Sequence, residues 1–177
     1  MTPSERPRAS AEGAPSGRRH LLDVAGLEWG QLRGLLDHAM GMRAILATPE
    51  RRSDELRGKI VATLFYEAST RTRLSFEMAA RALGAEIISF DVGSSSVGKG
   101  ESLVDTLRTL RALGADLVVL RHERSGAPWL AARTFDGSVI NAGDGWHAHP
   151  TQALLDLSVL SAHLGGGDGS LRGRSIA

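Results

Sequence analysis

Apolar positions along the chain alternate between two spacings. Leu32, Leu35, Leu36, Ala39, Met40 and Leu46 recur at three- and four-residue steps, which predicts an amphipathic helix soon after order begins near Leu21. The run 60–65 is short, apolar and partly β-branched, and lies between Gly58 and the polar stretch 67–70. It predicts a buried strand. A helix follows over 71–83, stopped by Gly84. The alternation then repeats. A strand over 86–90 leads through a Gly/Ser loop to a helix bearing Leu103, Val104, Leu107 and Leu110, which stops at Gly114. A strand over 116–120, a short helix near 128–133 and a strand over 138–141 come next. The loop 143–149 precedes a last helix over 151–164, ended by the glycines at 165–167.

Strands alternating with helices predict an α/β fold: a mostly parallel sheet with helices on both faces. Ligands of such sheets bind outside the carboxyl ends of the strands. The loops 66–70, 91–101, 121–126 and 142–149 should therefore converge on one edge, which is where chemistry is expected.

Composition narrows the classes. With 177 residues, 42% of them apolar and 23% charged, the chain suits one globular domain and is too short for two full ones. Twenty-one basic residues against 20 acidic ones give a net charge of +1, no general footprint for nucleic acid or an acidic membrane. The absence of cysteine excludes disulfides, thiolate zinc sites and cysteine nucleophiles. No apolar run approaches the roughly 20 residues of a membrane span, and the N-terminus lacks a secretory h-region. The expectation is a soluble, cytoplasmic protein. Residues 1–20 are rich in Pro, Ser, Gly and Arg and read as a disordered tail, with Glu5 and Glu12 arguing against a transit peptide. Lys59 and Lys99 are the only lysines.

An internal echo bears on domain organisation. Residues 56–62 (LRGKIVA) are similar to residues 171–177 (LRGRSIA). The first copy opens a strand, so the second is expected to open another. On this reading 21–165 is one domain, and 166–177 is a linker and the first strand of a truncated second α/β domain.

The strongest chemical signal lies at the first strand-to-helix junction. Helix N-termini carry unpaired N–H groups and partial positive charge, both of which attract phosphate. Ser69, Thr70 and Thr72 add hydroxyls, and Arg71 offers a bidentate fork. Arg71 and Arg73 are two apart and point in nearly opposite directions on a helix, so one faces a ligand and the other is structural, paired with Glu77 at i+4. Plain N-capping is the competing explanation of the hydroxyls.

These residues carry a resemblance. The run 65–77 (FYEASTRTRLSFE) resembles the carbamoyl-phosphate signature of the aspartate/ornithine carbamoyltransferase family. Three more stretches agree in order and spacing: Val97 to Ser102, Arg121-His122, and Asn141 to Gly145 followed by His149-Pro150-Thr151-Gln152. The last of these and the lysine loop look like the aspartate branch, since ornithine enzymes typically have Cys where Thr151 stands. The resemblance covers about residues 20–177. It implies that a complete enzyme joins carbamoyl phosphate and L-aspartate to give N-carbamoyl-L-aspartate and phosphate, in pyrimidine synthesis. It assigns Ser69, Thr70, Arg71 and Thr72 to the phosphate, Thr72, Arg121 and His149 to the carbamoyl oxygen, and Gln152 to the carbamoyl amide. It places Lys99 and a serine, Ser95 or Ser96, in a neighbouring subunit's site and implies a homotrimer. No cofactor or metal is implied. Regulatory chains or a dihydroorotase stay open as partners, and the family's aspartate-binding half is not in this chain.

Three rivals compete. Residues 93–99 imitate the first seven positions of a P-loop, but Gly100 stands where Ser or Thr would hold Mg²⁺. His147 and His149 beside Asp144 could ligate a metal in a hydrolase. A non-catalytic carbamoyl-phosphate-binding module is the third.

Overall fold

The computed structural model describes residues 20–91 and 101–164, with the single positions 171, 173 and 175. The elements are α1 (Trp29–Leu46), β1 (Ile60–Phe65), α2 (Thr70–Ala82), β2 (Glu86–Asp91), α3 (Leu103–Ala112), β3 (Leu117–His122), α4 (Ala127–Thr134), β4 (Ser138–Asp144) and α5 (Pro150–Leu164). The four strands form one sheet in the order β2-β1-β3-β4, every pair parallel.

Side chains alternate across a strand, and the core divides accordingly. Ala62, Leu64, Val118, Leu120 and Val139 pack on one face with Leu107 and Leu110 of α3 and Ala127 and Ala131 of α4. Val61, Phe65, Val119 and Ala142 pack on the other with Phe76 and Ala80 of α2. Helices thus cover both faces, as the alternation predicts. Leu64, Leu107, Leu110 and Leu120 are completely buried, each contributing about 2–3 kcal/mol of transfer free energy. Two predicted stops hold, while the glycines at 165–167 lie outside the described residues: Gly84 and Gly114 follow the last residues of α2 and α3 with φ of +83° and +93°, a conformation glycine enters without a Cβ penalty.

Three expectations change. Helix α1 forms but has no buried residue, and Leu35 and Met40 of its apolar stripe are exposed. Strand β3 continues past Leu120 through Arg121 and His122, and β4 past Asn141 through Asp144. Backbone pairing sustains both extensions where the apolar run has already ended. The outer edge of β4 is partly covered by Leu21, whose N–H donates to Val139 O and whose carbonyl accepts from Asn141 N, both at 2.9 Å.

Lys59 has a structural place. Its Nζ lies 3.3 Å from Asp116 Oδ1, while Asp116 Oδ2 accepts from Ile60 N at 3.0 Å. That backbone hydrogen bond, with Lys59's hydrogen bond and charge, holds the Asp116 carboxyl below its ordinary pKa despite some desolvation. Together they fasten the starts of β1 and β3.

The tail 1–19, the loop holding Ser95, Ser96 and Lys99 with its P-loop-like run, and most of the expected strand at 171–177 lie outside the described residues.

Candidate functional site

From β1 the chain order runs outward to β2 on one side and to β3 and β4 on the other, so the carboxyl ends of β1 and β3 form the topological switch point, the usual ligand position in open α/β sheets. Two donor sets gather there.

The first is the start of α2. Ser69 occupies the N-cap position, with φ −154° and ψ 87°, yet its side chain makes no capping hydrogen bond. Capping therefore does not account for this hydroxyl. The first-turn N–H groups have no intrahelical acceptor. Thr70 and Arg71 are exposed and Thr72 half-buried, and among the described residues no carboxylate pairs with Arg71. Arg73 turns the other way. Its Nε lies 3.9 Å from Glu77 Oε1, an oxygen that also accepts from Ser89 Oγ at 2.6 Å and Thr63 Oγ1 at 3.3 Å. Of the two arginines, Arg71 is the one left to face a ligand.

The second set forms where β3 meets β4. Leu120 pairs with Asn141 but His122 pairs with Asp144, so Arg121 alone faces Ala142 and Gly143. This one-residue bulge in β4 re-aims the local backbone. Gly143 has φ +118°, and a Cβ there would lie 2.8 Å from Arg121 Nη1 and 3.5 Å from His149 Cδ2. The two side chains thus flank a glycine where an added Cβ would meet the Arg121 guanidinium. Arg121 Nη1 donates to Ala142 O at 3.2 Å and Nη2 to Glu67 Oε1 at 2.5 Å. Its Nε is buried and has no hydrogen-bond partner among the described residues. Burial, then the positive charge of Arg121, lowers the His149 pKa below the ordinary histidine value. Its imidazole is therefore neutral at pH 7, one nitrogen a donor and the other an acceptor. Thr151 Oγ1 lies 3.4 Å from Nδ1; a hydroxyl donating there leaves Nε2–H to face outward.

Arg121 and His149 line a cavity of about 260 Å³ together with Glu67, Gly143 and Trp146. Gln152 does not line it; it is exposed and donates to Asp156 Oδ1 at 2.9 Å, one turn along α5. Sequence reasoning gave Glu67 and Gly143 no role. The signal for Glu67 existed only across strands, where Phe65 stands in register with Arg121. The metal reading loses its geometry: His147 faces Asp144 and the ring of Trp129, while His149 faces Thr151. Among the described residues no three His, Asp or Glu side chains converge as ligands.

A larger hollow of about 730 Å³ lies at the opposite, amino-terminal edge of the strands. Its Arg52 and Arg57 alternate with Asp54 and Glu86, so it offers no uniform field to an anion.

Residues 19–162 match the model of the aspartate/ornithine carbamoyltransferase carbamoyl-P binding domain. The chain is 55% identical over 148 residues to the aspartate carbamoyltransferase catalytic subunit of Chloroflexus aurantiacus, covering 84% of this chain and 48% of that one. Identity is 49% over 162 residues to the corresponding subunit of Dehalococcoides mccartyi, covering 92% and 49%. Among solved structures, the catalytic subunit of M. jannaschii aspartate transcarbamoylase superposes with a TM-score of 0.75 at 48% identity, over 82% of this chain and 47% of that one. Trypanosoma cruzi aspartate transcarbamoylase in complex with carbamoyl phosphate and aspartate gives 0.77 at 35% identity, over 84% and 46%. The chain spans about half the length of the relatives it matches.

Proposed function

Because this chain belongs to the aspartate/ornithine carbamoyltransferase family, we propose that it is the carbamoyl-phosphate-binding half of an aspartate carbamoyltransferase. The complete enzyme transfers the carbamoyl group of carbamoyl phosphate to L-aspartate in pyrimidine synthesis, in the cytoplasm. The observation that carries this reading is the meeting of two donor sets at one switch point: the α2 start with Arg71 and a Ser69 hydroxyl that caps nothing, and the bulge that holds Arg121 beside His149.

The phosphate sits on the α2 N-terminus, bound by Ser69, Thr70, Thr72 and the Arg71 fork. Arg121, His149 and Thr72 donate to the carbamoyl oxygen, where negative charge accumulates as the aspartate amine attacks. The C–N bond forms, the C–O bond to phosphate breaks, and the leaving phosphate accepts the amine proton. No covalent enzyme intermediate is needed. Gln152 reaches the carbamoyl amide by leaving Asp156, a rotamer change in an exposed side chain. Ser96 and Lys99 complete a neighbouring subunit's site in a homotrimer.

The test is carbamoyl transfer by the complete polypeptide to L-aspartate and to L-ornithine. Transfer to ornithine alone overturns the assignment of the acceptor; transfer to neither overturns the reaction. Two variants locate the chemistry. Arg71→Ala should lose roughly 3–5 kcal/mol of transition-state stabilisation. Arg73→Ala should keep its activity and lose at most about 1 kcal/mol of stability, since its pairing with Glu77 is long and partly solvated. Steady-state kinetics and thermal melts on both decide which arginine serves the ligand.

A further inference from the structure

Asp144 is a carboxylate with no exposed surface at the end of β4, and none of the steps above uses it. Burying such a group is costly unless it is fully hydrogen-bonded, and here it is. Oδ1 accepts from Asn141 Nδ2 at 2.8 Å and from Ala148 N at 3.0 Å. Oδ2 accepts from Gly126 N at 2.8 Å, and His147 Nδ1 lies 3.3 Å from it. The donors come from three separate segments: β4 itself, the start of α4, and the loop that delivers His149.

The backbone of Asp144 reinforces the side chain. Its N–H donates to Ala148 O and its carbonyl accepts from His147 N, both at 3.1 Å. With the Ala148 N–H bond to Oδ1, residues 144–148 form a closed ring, and His149 is the next residue out. The same residue follows directly on the bulge that seats Arg121. Trp129 lies edge-on to His147 at 4.8 Å and braces that ring against the carboxylate.

We infer that Asp144 is the positioning residue for the oxygen-polarising pair: through the Ala148 amide it fixes the loop that delivers His149 beside Arg121, and through the Gly126 amide it ties that loop to the start of α4, without touching substrate. This rests on the function proposed above. The α2 anion site lies outside the ring and should not depend on it.

Asp144→Asn is nearly isosteric but carries one acceptor oxygen. Whichever way its amide turns, an NH₂ group meets either Gly126 N–H or Ala148 N–H, and one loop is released. In the complete, assembled enzyme, kcat should fall about 10- to 100-fold, while the KM for carbamoyl phosphate moves less than about threefold. A merely structural role would lower the active fraction, which also lowers apparent kcat at unchanged KM; kcat is therefore referred to titrated active sites, and on that basis a merely structural residue leaves it unchanged. Combining Asp144→Asn with His149→Ala should add little to the loss from His149→Ala alone, since both act through the same imidazole. Full multiplication of the two losses, or a kcat within twofold of wild type, overturns the inference. Should Asp144→Asn not fold, hydrogen exchange on the unaltered protein still decides. The Ala148 and Gly126 amides should exchange about 100-fold more slowly than that of Trp146, and equal rates would overturn the inference. Wild-type enzyme without carbamoyl transfer would instead overturn the proposed function, so the two failures are separable.

Discussion

At the scale of single residues, the site depends on what is missing as much as on what is present. Gly143 has no side chain because Arg121 occupies that space, and its φ of +118° excludes most L residues independently. Gly143→Ala should therefore cost about 1–3 kcal/mol of stability from backbone strain and also push Arg121 off its seat. Thermal melts and kcat/KM should both fall, and a variant with wild-type kinetics would contradict the seat. The histidines give a pH signature. Burial lowers the pKa of His149, reinforced by Arg121, and burial also lowers that of His122. In the unfolded chain both protonate near 6.5, whereas the folded protein resists until lower pH. Stability should be fully present above about pH 6.5 and fall as pH drops through the lowered folded values. Denaturant unfolding between pH 7.5 and 5 checks this sign. The phosphate dianion, bound nearby at the α2 start, favours the charged imidazole, so carbamoyl phosphate should raise the His149 pKa and its binding should take up protons below neutral pH. Calorimetry in buffers of different ionisation enthalpy reads that uptake directly.

At the scale of elements, two helices begin on serine and use it differently. Ser102 caps α3, its Oγ accepting from Asp105 N at 3.2 Å. Ser69 opens α2 with a hydroxyl that caps nothing. Ser102→Ala should cost about 1 kcal/mol of stability with carbamoyl-phosphate affinity unchanged. Ser69→Ala should leave the melting temperature within a degree or two and weaken that affinity. If Ser69→Ala loses stability instead, the α2 hydroxyl is a cap in solution and its ligand role fails. Element boundaries explain where sequence reading stopped short. The expected strands end at Leu120 and Asn141, but the ladder continues through Arg121, His122, Gly143 and Asp144. Those polar and glycine residues carry no hydrophobic period, so the strand ends that hold the site looked like loops.

At the scale of the whole molecule, an open four-stranded sheet leaves its first and last helices with little to bury. Helix α1 has no buried residue, and α5 buries only Pro150. Assembly enters through Lys99. In the proposed trimer each site takes Arg71 from one subunit and Lys99 from the next, a head-to-tail contact that closes into a ring. Dissociating, mixing and reassociating full-length Lys99→Ala and Arg71→Ala should then restore carbamoyl transfer, because some hybrid sites receive both wild-type residues. Confirmed hybrids no more active than either parent would remove Lys99 from the neighbour's site. The order of elements, the α/β class and the hydroxyl-arginine segment proposed to bind phosphate were all readable along the chain, because periodicity, helix ends and such runs are local properties. Pairings between distant residues were not. Arg121 meets Glu67 across 54 residues and Ala142 across 21, and Asp144 gathers donors from both Gly126 and Ala148. Those contacts follow from strand register and from one inserted residue in β4, which leave no periodic trace and exist only once the sheet has formed.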